Sequence, residues 1–155
     1  MSQATLRQAI VSAVETVPNV GIVYDKHRWA ARMDSYLDLF KTTIDGTPQI
    51  RAWQVSYSNM ESNSLPIRTA TQRIYTFTIT GYLGVDDSAD TENTFADLTE
   101  AVCNALDNDS AIHAAQTHVD FAQVTTFGYI RFGDVLCHSA EIECRVREAF
   151  NASYV

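Results

Sequence analysis

Apolar residues near the start of the chain recur at Leu6, Ala9, Ile10, Ala13, Val14 and Val17, the i, i+3, i+4, i+7, i+8, i+11 spacing of one helical face. Ser2 stands where an N-cap belongs and Pro18 ends the pattern, so a first helix is predicted between them. Residues 20–24, VGIVY, form a short β-branched run that reads as a strand. Over residues 27–41, Trp29, Met33, Tyr36, Leu37 and Phe40 return to helical spacing and predict a second helix. Asp45 and Gly46 signal a turn, and residues 50–57 then alternate. Trp53, Val55 and Tyr57 fall on one side of that half-buried strand, with Ala52, Gln54 and Ser56 on the other.

Residues 58–70, SNMESNSLPIRTA, are polar and longer than most strand connections, which predicts a protruding arm or functional loop. Residues 71–85 alternate again, with Tyr75, Phe77, Ile79 and Leu83 opposite Thr76, Thr78, Thr80 and Tyr82, and Gly81 is the natural place for a bulge or bend. The acidic turn at residues 86–90 leads into a helix with an apolar face of Phe95, Leu98, Val102, Ala105 and Leu106. Residues 117–132, rich in Val, Thr, Phe and Tyr, read as one extended strand or two joined at Gly128. In the last strand, residues 135–147, the pattern turns Leu136, His138, Ala140, Ile142, Cys144 and Val146 inward. Glu141, Glu143, Arg145 and Arg147 face water, an alternation of sign suited to pairing with an adjacent strand or subunit. The predicted fold is α+β: a single domain over residues 1–155 with one mainly antiparallel sheet and helices packed on one face.

Charge sharpens this picture. The chain has 155 residues, 11 Lys plus Arg against 19 Asp plus Glu, and a net charge of −8. Residues 74–130 contain no Lys or Arg but carry Asp86, Asp87, Asp90, Glu92, Asp97, Glu100, Asp107, Asp109 and Asp120, so this stretch holds −9 and the remainder +1. An acidic surface repels phosphate, which disfavours direct grip on DNA or RNA and suits a basic partner or the repulsion of passing DNA. At 46% hydrophobic residues, the chain can bury roughly 68–70% of its unfolded surface without disulfides or a bound metal. No apolar run is long enough to span a bilayer, and the first residues open into an amphipathic pattern, so neither membrane insertion nor secretion is expected. Cys103, Cys137 and Cys144, an odd number without a CxxC pair, read as small buried thiols in a reducing compartment. Cys137 and Cys144 would lie about 23 Å apart on opposite faces of one strand and could not bridge.

The familiar chemical motifs do not occur. There is no GxxxxGK[ST] or GxGxxG to cradle phosphates, no GxSxG elbow and no HExxH. His113 and His118, with Asp109 and Asp120 nearby, make the best metal-like cluster but match no ligand spacing. Asp107-Asn108-Asp109 opens like a calcium loop, yet Ile112 stands where its glycine belongs and His118 where its closing glutamate belongs. Asp86 and Asp87 are paired carboxylates in an exposed turn without the apolar pocket that splits an acid from a base. No catalytic residue, metal site or cofactor is assigned, and a non-enzymatic role is expected.

The strand RIYTFTITGYLGV (residues 73–85), the acidic turn DDSADTEN, the helix TFADLTEAVCNALDND (94–109) and the late strand CHSAEIECRVRE (137–148) follow an opening helix and VPNVGIVYD (17–25). This layout resembles that of the tail terminator, or tail completion, proteins of long-tailed bacteriophages. The resemblance implies a structural virion protein of the phage neck, in the host cytoplasm during assembly. It would form a hexameric ring that caps the tail tube, joins it to the head-closure or connector protein, and leaves a lumen for DNA. Six copies would multiply −9 to about −54, and Asp86, Asp87 and Asp90 are the candidates for a lumen that keeps DNA from sticking. Met60, Glu61, Leu65 and Arg68 of the arm, with Glu141, Glu143, Arg145 and Arg147, are the candidates for contacts to a neighbouring subunit or the tube protein. The same layout also suits another head-to-tail joining protein, an adaptor or head-closure component, or a non-viral soluble binding module.

Overall fold

The computed structural model describes residues 2–64, 70–113 and 117–151. Helix α1 spans Gln3–Glu15, and the Ser2 hydroxyl accepts from the Thr5 amide at 3.2 Å, satisfying one of the orphan donors of the first turn. Leu6, Ile10, Ala13 and Val14 are buried, as their spacing requires. Strand β1 (Ile22–Tyr24) follows.

The helix predicted over residues 27–41 is only the short α2 (Met33–Asp38), followed by strand β2 (Lys41–Ile44). Helical spacing misled here because its apolar residues do not share one destination. Trp29 is 78% exposed and Met33 50%, while Phe40 is fully buried. The β-branched run Thr42-Thr43-Ile44 instead pairs antiparallel with β3 (Thr47–Ser64), Ile44 opposite Thr47. Asp45 and Gly46 form the two-residue turn between them with φ of 50° and 78°, the left-handed pair a type I′ hairpin demands.

Strand β4 (Ala70–Gly84) runs antiparallel to β3, the 3₁₀ turn Asp87–Ala89 leads into α3 (Thr91–Asn108), and β5 (Thr117–Phe132) and β6 (Val135–Asn151) complete the chain. The sheet order is β1-β3-β4-β6-β5; β1 is parallel to β3 and every other pairing is antiparallel. The fold is therefore α+β with a mostly antiparallel sheet. Helices α1 and α3 cover one face, where Trp53, Phe77, Ile79, Ile142, Cys144 and Val146 meet Leu6, Ile10, Phe95, Val102 and Leu106 in the main core. The α2–β2 segment packs on the opposite face at one end, over a second cluster of Phe40, Ile50, Ala52, Tyr82, Phe132 and Cys137.

That second cluster explains two departures from simple alternation. Residues 50–54 of β3 are buried on both faces rather than half-buried. In β6, Cys137 is fully buried on the second face while Leu136, expected inside, is 38% exposed. The expected loop at residues 58–70 is also different: residues 59–64 continue β3 and pair with Thr71–Thr76 of β4 across a long hairpin, with Leu65 and Arg68 outside the described residues. The bulge lies between Tyr57 and Asn59, not at Gly81. Gly81 sits level with Trp53 and Ala140, and a Cβ there would overlap the Trp53 ring, so glycine is present for space. Gly128 interrupts nothing; β5 is one strand, irregular at Asp120/Gln123 and Val124/Thr126.

Candidate functional site

Three surfaces draw on the residues singled out above. The first is the acidic turn at the end of β4. Asp86, Asp87 and Asp90 are all exposed there. Ser88 Oγ donates to Asp86 Oδ1 at 2.6 Å, and Asn93 Nδ2 donates to both oxygens of Asp90 at 2.9 and 3.1 Å. Two of the three carboxylates thus shape the turn while still presenting negative charge to solvent. Asp90 takes φ of 54° at the N-cap of α3, where a carboxylate also suits the helix dipole.

The turn is tied to the sheet through Thr91. Its hydroxyl donates to the Asp86 carbonyl at 3.1 Å, accepts from the Asp86 amide at 2.9 Å, and lies 2.8 Å from His138 Nε2. His138 is 2% exposed, between the rings of Phe95 (5.8 Å) and Tyr129 (5.0 Å), and burial pushes its pKa below the ordinary histidine range against the pull of Glu92. Its Nδ1 is buried without a hydrogen-bond partner among the described residues, which disfavours the charged ring, whose two N–H groups would both need acceptors.

The second surface is the polar face of the sheet beyond the α2–β2 cover. Cross-strand register aligns Asn59, Thr76, Arg145 and Asp120 in one row, and Glu61, Ile74, Arg147 and His118 in the next. Ser58, Glu61, Thr76, Thr78, Glu143 and Arg145 line a shallow basin of about 410 Å³. Glu61, Glu143 and Arg145 therefore meet on one face, whereas Met60, level with Tyr75 and 43% exposed, projects from the other. Glu141 is exposed farther along the same strand. Arg147 already has partners within the chain: Nε donates to Asp120 Oδ1 at 2.6 Å and Nη1 to Gln72 Oε1 at 3.1 Å. The guanidinium holds the Asp120 carboxyl below the usual range, and Asp120 raises the arginine in return.

The third surface was not legible from alternation. The irregularity between Val124 and Thr126 inserts an extra residue, so Val124 and Phe127, three apart, turn to the same side, beside α3. With Ala96, Thr99, Glu100 and Cys103 they line an open groove of about 400 Å³. Phe127 is 43% exposed and Val124 45%. β5 is an edge strand among the described residues.

The residues of the metal-like cluster have other engagements. Asp109 Oδ1 accepts from the amides of Ala111 and Ile112 at 2.9 Å each, closing α3, and Asp120 is held by Arg147. Among the described residues no group of three or more potential ligands gathers. The thiols are free; burial pushes Cys103 and Cys137 up to about 11 and Cys144 to about 12, which leaves them protonated and weakly nucleophilic near neutrality. Cys137 and Cys144 lie in the two opposite clusters. Among the described residues no helix is long and apolar enough to cross a membrane. No protein-family model matches the chain, and no curated protein matches it either.

Proposed function

We propose that this chain is a structural protein of the neck of a long-tailed bacteriophage, a tail terminator whose copies close into a ring on the end of the tail tube and meet the head connector. The observation that carries the reading is the segregation of charge. The acids of residues 74–130 concentrate on the turn at 86–90 and along α3, without a Lys or Arg in that stretch. The mixed charges Glu61, Glu143 and Arg145 share the opposite, polar face of the sheet. A molecule with one anion-repelling flank and one flank of alternating sign suits a ring that lets DNA slide past while gripping protein. The long β3–β4 hairpin gives such a subunit an extended element with which to reach a neighbour or the tube, as Met60 and Glu61 were expected to do.

The test is the mass of the purified protein across a concentration series, alone and with tail tubes. A ring, formed alone or on adding tubes, supports the reading. A chain that stays monomeric throughout and ignores tubes refutes it and moves the weight to an adaptor or a binding module. The lumen assignment has its own test: replacing Asp86, Asp87 and Asp90 by Asn should slow DNA release from assembled particles, and unchanged release would count against it.

A further inference from the structure

We infer that the groove between α3 and β5 receives a second copy of this chain, by way of that copy's basic segment, residues 26–32, with Trp29 as the anchor. The groove has an apolar floor of Ala96, Cys103, Val124 and Phe127. Glu92, Glu100 and Asp107 lie along the same flank of α3: Tyr129 of β5 bonds Glu92 at 3.4 Å, Asp107 accepts the Ala122 amide at 2.8 Å, and Glu100 lines the groove itself. An apolar trough with an acidic rim calls for a ligand that combines an aromatic or aliphatic anchor with cations.

Residues 26–32, KHRWAAR, supply that combination: Lys26, Arg28 and Arg32 with no acid between them. Trp29 is 78% exposed, second only to Phe121 at 82% among the large hydrophobic side chains of the described residues, and Ala30 and Ala31 beside it are exposed too. Tryptophan and arginine are the residue types over-represented at the energetic centres of protein interfaces. Trp29 stacks on Tyr36 at 6.0 Å, and Tyr36 belongs to the cluster on the face of the sheet opposite α3. The segment and the groove thus sit on opposite faces of one sheet and cannot satisfy each other within a chain. A contact between them is head-to-tail, each copy offering one half and receiving the other, an arrangement that gives a ring where the rotation between copies closes and an open filament where it does not.

This inference shares with the proposed function only the requirement that the chain self-associates, and its test separates the two. Ala30→Cys and Val124→Cys are combined in a Cys103→Ser background, since Cys137 and Cys144 are buried. A short thiol cross-linker is expected to give a ladder of covalent multimers, and each single-cysteine variant none. Trp29→Ala should weaken self-association by about tenfold or more. Glu100→Lys should do the same and be rescued by Arg28→Glu in the same chain. An oligomer whose mass is unchanged by Trp29→Ala, with no cross-linked ladder, overturns the inference and leaves the ring reading standing. A ladder from a protein that forms no closed ring and ignores tail tubes supports the inference and counts against the neck assignment. If Glu100→Lys abolishes tube binding but no ladder forms, the groove's occupant is the tube protein and the inference fails.

Discussion

Gly81→Ala tests the central packing argument of the fold. Strand glycines are normally weak points, and replacing one by alanine should stabilise by about 0.4–1 kcal/mol through lost freedom of the unfolded chain. Here the structure predicts the opposite sign. The new Cβ would overlap the six-membered ring of Trp53, which is 0% exposed and cannot swing into solvent. The indole is pinned by its Nε1, which donates to the Val20 carbonyl at 3.1 Å, and by the Phe95 ring at 5.8 Å. Overpacking a rigid site costs about 1–3 kcal/mol, and displacing the indole gives up a buried hydrogen bond worth about 0.5–1.5 kcal/mol. The net expectation is a loss of about 2–3 kcal/mol, or roughly 4–12 °C in Tm for a domain of this size. Urea unfolding followed by circular dichroism, at constant m, measures it. Trp53→Leu removes the obstructing ring, so Gly81→Ala in that background should cost at least about 1 kcal/mol less than in the native chain. A neutral or stabilising Gly81→Ala, or strict additivity with Trp53→Leu, would refute the claim that glycine is there to seat the indole.

Other consequences follow from single contacts. His138 is held neutral, with its pKa depressed by burial, so the unfolded chain binds a proton more readily than the native one. Stability should be full above the unfolded value of about 6.5 and fall as pH drops toward the native pKa; His138→Gln, followed by denaturant midpoints between pH 5 and 7.5, should flatten that slope. Asp120 is held low by Arg147, so its contribution is present above the ordinary aspartate range and lost as pH falls through its native pKa. Arg147→Ala should therefore reduce stability most at neutral pH and least at strongly acidic pH, and a uniform loss would show that the ion pair is not the cause. Gly46→Val forces a β-branched residue into φ of 78° at the β2–β3 turn and should cost about 1–2 kcal/mol, whereas a neutral result in thermal melts would mean that the hairpin adopts another turn.

The elements with a strong period and a local stop were readable from the order of residues alone. In α1 the Ser2 cap, the buried face and Pro18 act over a few residues, and in β4 the alternation from Tyr75 to Leu83 is enforced by one continuous core. The Asp45-Gly46 turn was equally legible, because positive φ at two successive residues is a local demand that few residue types meet. The candidate site was legible only in part. The acidic turn fell where its composition placed it, but the polar stretch after Tyr57 became paired strand, since cross-strand backbone bonds with β4 can carry residues whose side chains carry no β signal.

The order of residues alone settled the α+β class, the first helix, the acidic helix and its charge, and the inward row of β4 from Tyr75 to Leu83, all set by contacts between near neighbours or by one buried face. The tertiary structure decided what depends on partners distant in the chain. It placed α2 and β2 over the second face, so that Cys137 is buried and Leu136 is not. It gave Arg147 the carboxylate of Asp120, 27 residues away, and seated Trp53 over Gly81. It also turned Val124 and Phe127 to one side through a strand irregularity, making a groove that no periodicity announces, because an inserted residue reverses the alternation on which such a reading depends.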